Sequence, residues 1–368
     1  MFNPNARKTV SDYERVENTL AELTPDPRDF EEQVYPTEDV RSDVKQLDNY
    51  RRTPEYKRGG ERSDAKLLEK TFTDMVERGD WFGEEEAYGD DPDYLALITF
   101  PTADIDDAFN HIDVIGMISN ETTEHETMPF AIDLTYNTDN AKMAQKFRWR
   151  HVYGKKPGVP EEVSEFGDCY MDKDYYGRDV LRGRALSLKN RYGLKVPGFS
   201  SAKYFEDKNN PWDPMHDKGR IDVMPRFVVG YSTEIADVLS VGMPSEEYRK
   251  RYGEEDFLRR KMEYRNAERR AKWCTLLECR EQACDIRFML EHMDSEETKW
   301  MNPEELEKAK KQIVAMDAYF TKAVELATQK AQDDPEEMAA MNYADRDVVR
   351  QATKHHSFET YVAKGWSK

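Results

Sequence analysis

Cysteine is scarce in this chain, and long apolar runs are missing. The 368 residues include only four cysteines, Cys169, Cys274, Cys279 and Cys284. The last three recur every five residues within a helical pattern, a spacing that is neither a CxxC zinc pair nor a disulfide framework. Positions five apart on a helix lie about 140° apart, so the three cannot share one face. They read as small core or surface residues in a reducing compartment. No stretch approaches about 18 consecutive apolar residues, the length a membrane-spanning helix needs. The N-terminal residues 1–14 lack an apolar signal core, so a cytoplasmic location is expected. GxxxxGK[ST], HExxH and GxSxG are all absent, which argues against a P-loop nucleotide hydrolase, a zincin and a nucleophile-elbow hydrolase.

Positive charge is also short. Lys and Arg total 55 against 74 Asp and Glu, a net charge of −19, which disfavours non-specific nucleic-acid binding by the whole surface. The deficit is uneven. Residues 1–140 hold 14 basic and 34 acidic side chains, whereas residues 141–205 hold 14 basic and 7 acidic ones, so the second segment is net +7. Its tyrosines, Tyr170, Tyr175, Tyr176 and Tyr192, are interleaved with the charge, which suits contact with a nucleic-acid backbone and base stacking. Packing of an irregular insertion (152–222) explains the same composition about as well.

What the chain does have is one concentrated apolar stretch, Asn110–Asn137. It contains two short runs rich in Ile, Val and aromatics, 112–118 and 129–136, joined by a polar link. They predict neighbouring buried strands. Each carries one acid, Asp113 and Asp133. A carboxylate in a buried strand is costly unless paired or bound to a cation, so two on adjacent strands suggest a metal site. The competing structural reading has Asp113 capping a turn at the strand start and Asp133 accepting backbone hydrogen bonds.

Around this stretch the pattern predicts further elements. Residues 1–60 are Pro-rich, charged and poor in aliphatics, and read as a flexible charged arm. Ser63 caps an expected helix through Arg78, with Leu68, Phe72, Met75 and Val76 on one face and Glu69 at its edge. Residues 94–100 form a strand and Asp104, Asp106 and Asp107 a loop. A helix over 140–151 carries Lys142 in its first turn and Lys146 beside its inner face, and 225–231 is a fourth strand. Residues 245–332 read as a helical hairpin outside the core, a seam for a homodimer or a protein partner. Its second helix starts at Asn302-Pro303, an N-cap followed by proline at the first position. Residues 333–368 form a polar tail, in which the adjacent His355 and His356 cannot share a helix face.

This succession, a helix with Glu69, three strands with acids on the second and third, a helix, then another strand, resembles the core of the PD-(D/E)XK nuclease superfamily. The resemblance covers about residues 63–240, within a domain expected over 61–240. It implies a restriction-endonuclease-like α/β (α+β) fold, a mixed sheet flanked by helices. It also implies a metal-dependent phosphodiester hydrolase using Mg²⁺ or Mn²⁺. Carried over by position, Asp113 and Asp133 match the motif acids and Glu69 the acid of the first helix, together the metal ligands. The motif places a lysine two residues after Asp133, where Thr135 stands. Some members supply it from the following helix, here Lys146 or Lys142. Gln145 and Trp149 on that helix are similar to a Gln/aromatic motif of the exonuclease-like branch. The alternative is a catalytically inactive nuclease-like binding or assembly protein. A third reading is a different α/β fold with structural aspartates, or a carboxylate-metal enzyme of the RNase H-like kind.

Overall fold

The computed structural model describes residues 24–53, 68, 71–73, 75–76, 95–110, 112–120, 128–135, 170–173, 179–182, 198–205, 219–292 and 302–344. A five-stranded mixed sheet lies at its centre, in the order β1-β2-β3-β7-β6. Strands β1 (Leu95–Pro101), β2 (Val114–Asn120) and β3 (Met128–Thr135) form an antiparallel meander. β7 (Gly219–Gly230) runs parallel to β3, and β6 (Phe199–Phe205) pairs antiparallel with β7 at the edge. The two acid-bearing runs are therefore adjacent strands, as their composition predicts. A second, two-stranded sheet pairs β4 (Tyr170–Lys173) with β5 (Asp179–Arg182).

Strand alternation sorts the side chains onto two faces. Val114, Ile118, Phe130, Ile132, Leu134, Phe227 and Val229 share one core with the C-terminal helices. Those helices are α5 (Glu254–His292) and α6 (Pro303–Ala331), preceded by α3 (Thr233–Val241) and α4 (Glu246–Tyr252). Phe320 of α6 meets both Phe130 and Phe227 edge-on, at 5.5 and 5.4 Å between ring centroids. Gly116 makes room for this arrangement, because a Cβ there would lie 2.3 Å from the Phe130 ring. Leu68, Phe72, Met75 and Val76, all helical, bury into the same core as their spacing predicts. The opposite face carries Phe100, Ile115, Met117, Ala131 and Met224.

Several expectations change. The hairpin of α5 and α6 is present, but it forms one wall of the sheet's core instead of standing outside it, because Trp273, Leu276, Ile313, Met316 and Phe320 all pack there. Part of the polar tail is the helix α7 (Pro335–Ala344), held to α5 by Trp273 Nε1 donating to Glu337 at 2.8 Å. Asp104–Asn110 is a helix, α2, and not a loop. The insertion contributes the edge strand β6 and the first four residues of β7.

The arm is also corrected over its described part. Residues 24–53 hold a 3-10 turn at Pro27–Phe30 and the helix α1 (Thr37–Arg51), whose Val40 and Leu47 join Phe30, Ile105 and Tyr204 in a third cluster. Polar contacts fasten it. The buried Asp43 of α1 accepts from Lys203 Nζ at 2.7 Å and from the Tyr204 hydroxyl at 2.8 Å. Lys203 Nζ also stands 4.9 Å from the Tyr35 ring centre, and the Tyr35 hydroxyl donates to the Lys203 carbonyl at 2.8 Å. The register of β6 shifts here, leaving the amides of Lys203 and Tyr204 to donate to Asp106, at 3.0 and 2.9 Å.

β7 outruns its edge partner. The last bond towards β6 is Arg226 N–H donating to Gly198 O at 2.9 Å. Two residues on, Val228 presents its N–H and C=O to the same edge. The buried Gln282 of α5 takes both, its Oε1 accepting at 2.9 Å and its Nε2 donating at 2.7 Å. Gln282→Leu should orphan both backbone groups, lowering stability by about 1–3 kcal/mol for each; urea unfolding measures it. A second outcome concerns the arm. Burial, helped by the Asp106 charge, pushes the Tyr35 phenol from 10.0 to about 12. Above pH 10 the unfolded chain releases this proton while the folded protein keeps it, so its contribution is full below pH 10 and lost as pH rises through about 12. The melting-temperature gap between wild type and Tyr35→Phe should narrow over that window.

Candidate functional site

Asp113 is the residue before β2, and Asp133 lies near the end of β3. The β2–β3 ladder closes at the pair Val114↔Ile132, and one residue beyond it on each strand stand the two acids. The turn into β2 is fixed from three sides. Thr102 Oγ1 lies 2.6 Å from the Ile112 carbonyl, the Asp113 N–H donates to Ile132 O at 2.9 Å, and Asp113 Oδ2 accepts the Leu134 N–H at 2.5 Å. Asp113 is half-buried, while Asp133 is 3% exposed. The structural reading of Asp113 is thus realised in part: its carboxylate takes over from the backbone as the acceptor for β3.

Asp133 shares its sheet face with Ala131. Across the parallel ladder, Arg226 of β7 pairs with Ala131 and is buried on that face too. A positive charge therefore accompanies the acids inside the sheet. Thr135 is the last residue of β3, so the strand itself offers no lysine at that position.

The other residues singled out by sequence, Glu69, Lys142 and Lys146 with Gln145 and Trp149, lie outside the described residues. So does most of the basic segment 141–205. Within it, the described Lys203 is engaged by Asp43 and two tyrosine rings, not turned towards an anionic ligand. Among the described residues no group of three or more His, Cys, Asp or Glu side chains could hold a metal ion. The pair Asp113 and Asp133 nevertheless has the right donor chemistry for Mg²⁺. That ion takes oxygen ligands and keeps several waters, so two carboxylates provide a foothold. The hydrogen bond from Leu134 uses one Asp113 oxygen and fixes the orientation of the carboxyl group.

Sequence reasoning missed the buried acids Asp43 and Asp106. Asp43 had a readable signal, since it falls between Val40 and Leu47 on the buried stripe of α1. A separate groove of about 480 Å³ lies between α3 and α5, walled by Glu234, Asp237, Glu263 and Arg270 over Ile235 and Val238. It is not lined by either strand acid. Of the cysteines, Cys274 and Cys279 are buried and Cys284 is exposed, and none of the three forms a disulfide. Burial and the neighbouring Glu278 push the Cys279 thiol well above its usual range, which removes nucleophilic character. Among the described residues no helix is long and apolar enough to cross a membrane.

No family model, curated protein or solved structure matches the chain.

The two roles of Asp113 separate by substitution. Asp113→Ala removes the acceptor for the Leu134 N–H and should cost about 1–3 kcal/mol. Asp113→Asn keeps an acceptor oxygen at the same place and should unfold close to wild type in thermal melts.

Proposed function

We propose that the chain is a metal-dependent phosphodiester hydrolase acting on nucleic acid, built on a restriction-endonuclease-like core. The observation that carries the reading is the placement of Asp113 and Asp133 side by side at the same end of adjacent strands. The element order supports it: a helix containing Phe72, the meander β1–β3, then β7 parallel to β3. A parallel partner requires a crossover connection, which the resemblance places at the helix over 140–151. Bound Mg²⁺ or Mn²⁺ would polarise a phosphate and lower the pKa of a coordinated water. Asp113 and Asp133 are its ligands in this reading, Glu69 is the third, and Lys146 or Lys142 supplies the cation that Thr135 cannot. The basic segment 141–205 is the nucleic-acid surface. The buried thiols Cys274 and Cys279 fit a reducing, cytoplasmic setting.

A second reading, an inactive nuclease-like binding protein, is favoured by two features. Asp113 already serves the backbone of β3, and Arg226 already brings positive charge to the Asp133 face. Metal titration separates the two. Mg²⁺ or Mn²⁺ at a hundredfold excess over its dissociation constant should stabilise the wild type by about 2.7 kcal/mol. Asp133→Asn should abolish this rise in melting temperature. Lys146→Ala or Lys142→Ala should remove cleavage of a labelled DNA or RNA while leaving the metal-linked rise in place. Metal binding without cleavage would select the inactive reading. An unmoved melting curve, with no heat in titration calorimetry, would remove the metal site altogether.

A further inference from the structure

The long helix α5 carries an unpartnered stripe near its N-terminus. Three of the four exposed large apolar side chains among the described residues lie between 252 and 262: Tyr252 at 43%, Leu258 at 49% and Met262 at 64% exposure. Leu258 and Met262 are one turn apart and share a face. At 100° per residue, Glu255 and Arg265 fall on that stripe as well, one at each end. All four side chains are exposed. The preceding helix α4 has no buried residue.

The charges at the two ends of the stripe are opposite in sign. The arginines between and beside them are matched within the chain. Arg259 pairs with Asp256 and Glu263, Arg260 with Glu263, and Arg249 with Glu246 and Glu254. The side chains of Glu255 and Arg265 make no such ion pair or hydrogen bond among the described residues.

We propose that the stripe is a self-association seam whose occupant is a second copy of this chain, packed antiparallel. A two-fold axis beside residue 260 puts Leu258 of each copy against Met262 of the other. The same operation puts Glu255 against Arg265, twice. Isologous interfaces require this reciprocity, in which position i meets j and j meets i. The sequence supplies it for both the apolar and the charged pair, and the charged pair makes no ion pair among the described residues. The contact is a single helix face, so association is weak, with a dissociation constant on the order of tens of micromolar. It strengthens at low salt, since the outer pairs are exposed. This inference is independent of the hydrolase reading.

Sedimentation of the full chain from micromolar to millimolar concentration tests it. Wild type should show a monomer–dimer equilibrium. Met262→Glu, which enters the seam twice, should weaken dimerisation about tenfold or more. Glu255→Arg alone and Arg265→Glu alone should each weaken it, by bringing like charges together. Combining the two should restore dimerisation towards the wild-type constant, which only the antiparallel register explains. Circular dichroism and melting temperature check that each variant is folded, Glu255→Arg especially, because it also loses a favourable charge in the first turn of α5. A wild type that stays monomeric throughout overturns the proposal and leaves the stripe to a different protein. A dimer indifferent to Met262→Glu, or a double charge swap no better than the single ones, overturns it as well.

Discussion

β3 and β7 lie side by side and point the same way, and much of the architecture is arranged around that pairing. A parallel pair cannot be closed by a tight turn, and among the described residues after Thr135 it is β6 and β7 that complete the sheet. The pairing sets Phe227 beside Phe130 on one face, and the two rings make the seat that Phe320 fills from α6. Among the described residues it also leaves the end of β7 without a strand on its outer side. Gln282 closes that edge with one side-chain amide in place of a peptide. The helical hairpin is thus tied to the sheet by a hydrophobic wedge and by an obligatory hydrogen-bond pair. An orphaned buried backbone group costs more than a typical hydrogen bond contributes, so the polar tie fixes the helix's register while the rings supply the greater burial.

The second theme is the handling of buried charge. Asp43, Asp106, Asp133 and Arg226 are all nearly inaccessible. Asp106 meets two consecutive amides, possible only because the bulged edge strand turns both the same way. Asp43 meets an ammonium and a phenol together. These contacts convert a carboxylate that would be expensive to bury into the point where α1, α2 and β6 meet. They also blunt the outer edge of β6, which would otherwise offer unpaired amides to another chain.

That arrangement explains which parts of the fold could be read from sequence. The runs 112–118 and 129–136 stand out because both faces of a central strand are apolar, and α6 because Asn302 caps it, its side chain accepting from Glu304 N–H at 2.9 Å. The element order around the acids was legible for the same reason. The arm was not. Its few aliphatics, Val40 and Leu47, look too sparse to order a helix, and the partners that complete it, Lys203 and Tyr204, are about 160 residues away. β6 hid likewise, since FSSAKYF mixes polar and apolar residues to suit a bulged edge. The hairpin's length was readable, but not its docking: nothing local in Gln282 says that it will stand in for a strand.

At the acid pair the two readings of the sequence are not exclusive. A carboxylate that accepts a backbone N–H is not thereby disqualified as a ligand, since ligating carboxylates are commonly held by hydrogen bonds of this kind. The Leu134 amide fixes the Asp113 carboxyl group in rotation. Arg226 works in the other direction. Positive charge on the Asp133 face reduces the electrostatic gain from adding a cation. In the hydrolase reading, the negative charge of the pair is therefore set against this internal cation as well as a metal. In such a balance the deciding residue is whichever further anion reaches the pair. Two carboxylates beside an internal cation carry too little surplus negative charge to hold Mg²⁺ firmly, whereas a third carboxylate restores it. On that argument Glu69 carries more weight in the metal question than its place at the edge of a helix suggests.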